Sequence, residues 1–311
     1  MVSDWKGQLP DLRETFQPYD IDWLLAETIK KKSYWCSEHP LIDFVIDTGY
    51  KDEPDLDENG KPLLQRTTAI QHAAKHGKQI IDELCKIYDR FDLNYIDDSG
   101  LTHFHVACEY GCDEVVKEFL EFGQDPNCIV AETGDSPLHS ALQRSYVNAI
   151  KVVQWLLGSG ADLHLVNKDG DTPLHLALEH RHEEIAESIL RSGIDLSLAN
   201  KDGLTPLHLI CSYLYFNIDL LEIFFQINDE SNQLVRLDAR DNEGNTALHL
   251  AVHENEKAAK LLLKRDANPN LANSEGLTPL QIICSGYRHY NSMYSLAKIL
   301  FDLSNDKYRP L

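Results

Sequence analysis

The phrase Thr172-Pro173-Leu174-His175 returns along this chain as Thr102-His103-Phe104-His105, Ser136-Pro137-Leu138-His139, Thr205-Pro206-Leu207-His208, Thr246-Ala247-Leu248-His249 and Thr278-Pro279-Leu280-Gln281, with a blurred first copy at Thr68-Ala69-Ile70-Gln71. Its first residue falls at positions 68, 102, 136, 172, 205, 246 and 278, so successive copies are 34, 34, 36, 33, 41 and 32 residues apart. Self-similarity at such a period constrains the fold strongly. Each period is one small helical unit with an apolar side it cannot cover alone, and stacking on its neighbours is the only way to bury it.

One period shows how the residues dictate the unit. Asp169-Gly170 is a tight-turn signal, Thr172 is placed to cap a helix, and Pro173 falls at the first helical position, where a missing N–H costs little. A second stretch, Ile185-Ala186-Glu187-Ser188-Ile189-Leu190, has helical spacing and stops at Ser192-Gly193. The unit therefore reads turn, helix, helix, turn. A T-P-L-H opening repeated at about 33 residues resembles the ankyrin-repeat family. The resemblance covers residues 40 to 303 and implies an all-α solenoid of seven helix-turn-helix repeats joined by β-hairpin-like turns.

Boundaries follow from the register. Residues 1–40 form an N-terminal helical cap around the periodic stretch Ile21 to Ile29; residues 41–63 hold a degenerate repeat, Leu41 to Gly49, and a long acidic loop, Tyr50 to Pro62. Repeats occupy 64–96, 97–130, 131–166, 167–199, 200–240, 241–272 and 273–303, and residues 304–311 are a C-terminal tail. Two repeats carry aromatic clusters, Tyr213-Tyr215-Phe216 and Tyr287-Tyr290-Tyr294. These rings either form an interaction ridge or pad taller helices.

Charge narrows the partner classes. The chain has 50 acidic and 29 basic residues, a net charge of −21, which disfavours nucleic acid and anionic membrane surfaces. Its only basic run, Lys30-Lys31-Lys32, is short and reads as a solvated helix end. No apolar run approaches the ~18 residues that span a bilayer, and Met1 to Lys6 lacks a secretory pattern. The expected location is the cytoplasm or nucleus. There the seven cysteines are read as reduced and buried.

Reaction chemistry has little to start from. His103, His105, Cys108 and Cys112 stand close in sequence, but His105 occupies the recurrent histidine place of the phrase, so the set reads as structural rather than metal-binding. His72 and His76 lack the glutamate of a zinc-protease motif, and His180 and His182 cannot share a helical face. Phosphate-loop, dinucleotide and nucleophile-elbow motifs are missing from the sequence. The reading is a non-enzymatic scaffold or adaptor with no catalytic, cofactor or metal residue and no small-molecule substrate.

The family resemblance implies that partners touch the hairpin tips and the exposed start of the first helix, on a concave face. Transferred by register, those positions are Asp98, Leu101, Glu109, Tyr110, Glu132, Asp135, Arg144, Lys168, Asp169, Asp171, Glu179, His180, Asp202, Leu204, Tyr213, Glu243 and Glu254. Acidic residues dominate them, which favours a basic protein segment as partner. Two alternatives share the fold. The runs Gly60 to Thr68 and Gly100 to Cys108 resemble an insect ankyrin subfamily, some members of which carry a C-terminal F-box-like PRANC domain, implying a substrate-recognition subunit of a ubiquitin ligase. An acidic stack also resembles the I-kappa-B type of transcription-factor inhibitor.

Overall fold

A computed structural model describes residues 9–31, 39–76, 80–144, 148–212, 218–231, 235–285 and 296–301. The chain divides into two compact units, Met1–Asp162 and Leu163–Leu311. Regular structure among the described residues is helical, with only isolated β-bridges at the turns. The first unit holds α1 (Pro18–Lys31), α2 (Pro40–Asp47), α3 (Ala69–Lys75), α4 (Ile81–Leu84), α5 (His103–Glu109), α6 (Asp113–Glu121), α7 (Pro137–Leu142) and α8 (Ala149–Gly158). The second holds α9 (Pro173–Glu179), α10 (Glu183–Arg191), α11 (Pro206–Ser212), α12 (Ile218–Ser231), α13 (Ala247–Glu254), α14 (Glu256–Lys264) and α15 (Pro279–Ser285).

Within each unit, helices pack by kind. First helices lie on first helices, α3 on α5 and α5 on α7, then α9 on α11, α11 on α13 and α13 on α15. Second helices form the other layer, α6 on α8, α10 on α12 and α12 on α14. The first helices are two turns long, too short to persist alone in water. Their sequence compensates by burying almost every residue: Pro173 through Leu178 of α9 are all buried. Second helices are amphipathic. Helix α10 buries Ile185, Ala186, Ile189 and Leu190 and leaves Glu184 and Arg191 exposed, each fully buried Leu or Ile contributing about 1.5–3 kcal/mol.

The recurrent phrase acts as a relay between neighbours. In the repeat opening at Thr172, the backbone N–H and the hydroxyl of Thr172 both reach His175 Nδ1, at 3.2 and 2.8 Å, and His175 Nε2 lies 3.1 Å from the carbonyl of Leu204 in the next repeat. A carbonyl only accepts, so Nε2 carries the proton and Nδ1 is the acceptor. Thr205–His208 reaches Ala239 at the end of its own repeat and Asn245 of the next, Thr246–His249 reaches Leu277 of the next, and Thr102–His105 reaches Cys128 at the end of its own. Burial disfavours the charged form of three of these imidazoles: His105 is pushed down to about 4, and His208 and His249 also fall. Glutamine substitutes without loss in the first copy. Gln71 Oε1 accepts from the N–H and hydroxyl of Thr68, and Gln71 Nε2 donates to the carbonyls of Tyr95 and Leu101.

Turns are closed by an Asp or Asn side chain. Asn200 Oδ1 accepts from the N–H groups of Asp202 and Leu204, both at 3.0 Å, and Asp97, Asn167, Asp241 and Asn273 repeat the pattern. Gly100 is required at its turn twice over. Its φ is +88°, and a Cβ there would stand 2.4 Å from the backbone nitrogen of Ala131.

The amino-terminal end departs from this scheme. Helix α1 packs on α3 and α2 on α4, so the helix assigned to a cap and the helix assigned to a degenerate repeat together stand where a helix pair of a repeat stands. The acidic loop contains an ordinary tip, in which Asp57 Oδ1 accepts from Asn59 and Lys61, both at 2.8 Å. What lengthens it is the connection that follows: Gly60 precedes Thr68 by eight positions, whereas Gly100 precedes Thr102 by two. That extra segment pairs with Ile96 through Leu64 and Arg66 and carries the Arg66 guanidinium inward.

Candidate functional site

The tips of the second unit present a column of carboxylates. Asp169, Asp202, Glu243 and Glu275 each precede the turn glycine, and all four are exposed. Backbone bonds tie the tips in sequence: Lys201 N–H donates to the Asp169 carbonyl at 2.8 Å, Asn242 to Asp202 at 2.9 Å and Ser274 to Glu243 at 2.8 Å. The charges therefore follow one another along one edge in fixed register. Among the described residues none of the four forms an ion pair; those of this unit, Arg191–Glu187, Lys260–Glu256 and Arg265–Asp229, involve the second helices. Glu243 accepts one hydrogen bond, from Asn245 Nδ2 at 3.2 Å.

In the first unit, the ends of the first helices carry internal ion pairs. Lys75 Nζ lies 2.7 Å from Asp97 Oδ2, and Arg144 Nε lies 2.5 Å from Glu109 Oε1 with its guanidinium 5.0 Å above the Tyr110 ring. Burial raises the pKa of Glu109 while Arg144 pulls it back. Tyr110 is buried, and its hydroxyl donates to the Ala74 carbonyl at 3.1 Å.

The transferred positions thus separate by environment. Asp98, Glu132, Lys168, Asp169, Glu179, Asp202 and Glu243 are exposed, while Leu101, Glu109, Arg144, His180 and Leu204 are half-buried. Asp135 and Asp171 are buried and bonded within the chain, Asp135 accepting from Gln143 at 3.0 Å and Asp171 from Asn200 at 2.8 Å. Tyr213 and the other ridge aromatics, the C-terminal tail and the side chain of Glu254 lie outside the described residues. Glu275 completes the column and was missed by transfer that stopped one repeat short; its place before Gly276 was the signal.

The histidine and cysteine set is engaged within the fold. His105 serves the relay, and His103, standing where other copies have proline, reaches Thr68 Oγ1 at 2.6 Å from the repeat before. Cys108 and Cys112 are buried, and burial raises both thiols. Among the described residues no group of His, Cys, Asp and Glu could hold a metal ion, and no helix is long and apolar enough to cross a membrane.

Comparison with known families gives the same architecture a name. The family model described as ankyrin repeats (3 copies) matches in overlapping windows, at residues 35–130, 73–167, 115–200, 138–233, 188–273 and 219–310. The chain belongs to the ankyrin-repeat family. Human BCL-6 corepressor-like protein 1 is 35% identical over 111 residues, covering 35% of this chain and 6% of that protein. The mouse B-cell lymphoma 3 protein homolog is 38% identical over 73 residues, 24% of this chain and 16% of the relative. Human Rabankyrin-5 is 32% identical over 155 residues, 49% of this chain and 12% of the relative. The chain spans less than a fifth of the length of each of these three relatives. Ankyrin repeats are protein-protein interaction modules, and that general role holds here.

Proposed function

We propose that this protein is a non-enzymatic adaptor that holds a basic segment of another protein along the hairpin tips of its second unit. The observation that supports the reading is the column of Asp169, Asp202, Glu243 and Glu275, exposed, in register and without ion pairs among the described residues. Carboxylates left in this way attract lysine and arginine at long range and set the register of an extended chain. The first unit offers less, because a partner there would first have to break Arg144–Glu109 or Lys75–Asp97.

Charge reversal tests this directly. Asp169→Lys, Asp202→Lys and Glu243→Lys together should release a partner captured from cell extract by the native chain, and that capture should weaken as salt is raised. Retention by the triple variant, or salt-insensitive capture, would remove the acidic column from the reading. Co-purification of ligase core subunits with the native chain would replace the adaptor role by substrate recognition for ubiquitin transfer.

A further inference from the structure

The amino-terminal pair is joined to the repeats by chemistry found at no other described junction. Asp22 of α1 and Asp52 of the following segment are both buried, and the single guanidinium of Arg66 lies between them, Nε 3.0 Å from Asp22 Oδ2 and Nη2 2.7 Å from Asp52 Oδ2. The Tyr88 hydroxyl donates to Asp22 and the Tyr95 hydroxyl to Asp52. Arg66 also lies 4.6 Å over the Tyr95 ring. Two carboxylates against one cation leave a buried negative charge, and like charges that share a site favour uptake of a proton. We propose that the Asp22–Arg66–Asp52 bridge is a proton-coupled latch, which holds helix α1 against α3 more tightly in mildly acidic solution than at neutral pH.

Among the groups that face the cluster, Asp22 is the one whose proton uptake favours docking. Tyr50, Tyr88 and Tyr95 face the cluster from the Asp52 segment, the end of α4 and the next turn, and burial keeps each protonated. His103 of α5 is pushed down to about 3 by burial and by Arg66, and its contacts to Thr68, Tyr88 and Tyr95 do not involve α1. On α3, His72 is lowered by burial and by Lys30 of α1 and Lys75, so its protonation opposes docking, and it does so alike in the native chain and in Asp22→Asn. Arg13 approaches from a 3-10 turn at Leu12–Glu14 but is exposed, bound to the Lys51 carbonyl and to Glu53. Asp22 itself is pushed up to about 6 by burial, against the pull of Arg66.

The sign follows from that direction. A carboxyl raised above its free value of 3.8 binds its proton more tightly when α1 is docked. Docking is therefore strongest below that free value and weakens as pH rises through about 6. Between pH 7 and pH 5 the gain is on the order of tenfold in the docking equilibrium.

Amide hydrogen exchange on the full chain reads this, with rates corrected for the intrinsic pH dependence of exchange. Protection of residues 21–29, relative to the same residues in Asp22→Asn, should rise on the order of tenfold from pH 7 to pH 5. A flat or falling ratio would overturn the latch. A second variant guards against general unfolding: Arg66→Met should strip protection from α1 while α5 through α8 keep theirs, and Arg66→Lys should restore part of it. Equal loss across α1 and α5 through α8 would overturn the assignment of Arg66 to this junction.

Discussion

The first junction of the chain and the later ones answer the same requirement with opposite chemistry. At α5, α9, α11 and α13 a neutral imidazole links a capping hydroxyl to a backbone carbonyl that precedes the next first helix, and no charge is buried in the link. Between α1 and α3 a half-buried arginine meets two buried aspartates. A neutral relay is directional and repeatable, since any unit that supplies a Thr and a His can join any unit that supplies a carbonyl. A buried ion cluster is particular to one place, and it depends on every member, because removing one leaves the others desolvated without compensation.

That dependence gives the largest expected effect. Arg66→Met should weaken the docking of α1 on α3 by about 3–5 kcal/mol, because two buried carboxylates lose their cation. Adding Asp22→Asn and Asp52→Asn to Arg66→Met should recover a substantial part, as a neutral cluster costs less to bury. Denaturant titration of the single and triple variants measures the difference, and a triple variant no more stable than Arg66→Met would show that the cluster acts through packing alone.

Backbone close approach ranks next. Gly100→Ala should cost about 3 kcal/mol or more, since its Cβ would collide with the Ala131 backbone in addition to the left-handed conformation. Gly123→Ala shares the positive φ, +84°, but meets nothing within 4 Å, so it should cost only about 1–2 kcal/mol. Similar losses for the two would mean that the turn relaxes around the new methyl group.

The relay predicts a chemical distinction that the ion cluster does not. His208→Leu should cost about 1–3 kcal/mol by leaving the Thr205 hydroxyl and the facing carbonyls without partners. His208→Gln should cost under about 1 kcal/mol, because Gln71 makes the same set of bonds. The two junctions also respond to acid in opposite directions. His105, lowered by burial to about 4 from 6.5, favours the folded state above pH 6.5, and that contribution is lost as pH falls toward 4. Over the same range the α1 latch tightens. Unfolding followed separately in α1 and α5 between pH 7 and pH 5 should show the two trends diverge.

The periodic parts of the molecule were legible because their cause is local. A capping Thr, a Pro at the first helical position and a His three residues after the cap lie within one short window, so the phrase announces its own hydrogen bonds. The exposed tips were legible for the same reason, since the residue before the turn glycine has a fixed place. Burial of Asp135 and Asp171 was not, because it depends on Gln143 in one case and on Asn200 from the next repeat in the other. Tyr110 transfers by register as a partner position, yet Ala74 and Arg144 hold it within the fold. Asp22, Asp52 and Arg66 are far apart in sequence and belong to no repeated phrase. Their only trace was the longer step from Gly60 to Thr68, which runs past the acidic loop of Tyr50 to Pro62 and delivers an arginine.

The smallest expected effect bears on the adaptor reading. If the acidic column has no structural task, Asp169→Lys, Asp202→Lys and Glu243→Lys should change stability by no more than about 0.5 kcal/mol each. Relief of like-charge repulsion in a chain of net charge −21 would tilt the change toward stabilisation. The turn itself is held by Asn167, Asn200 and Asp241 through their Oδ1 atoms, and these stay in place in the variants. Glu243 is the sensitive member, as its carboxylate accepts from Asn245, which in turn accepts from Asn273. Thermal unfolding of the three single variants would separate the cases. A loss above about 1 kcal/mol at Asp169 or Asp202 would mean that these carboxylates serve the fold, and a partner lost in the triple variant would then be lost for a structural reason.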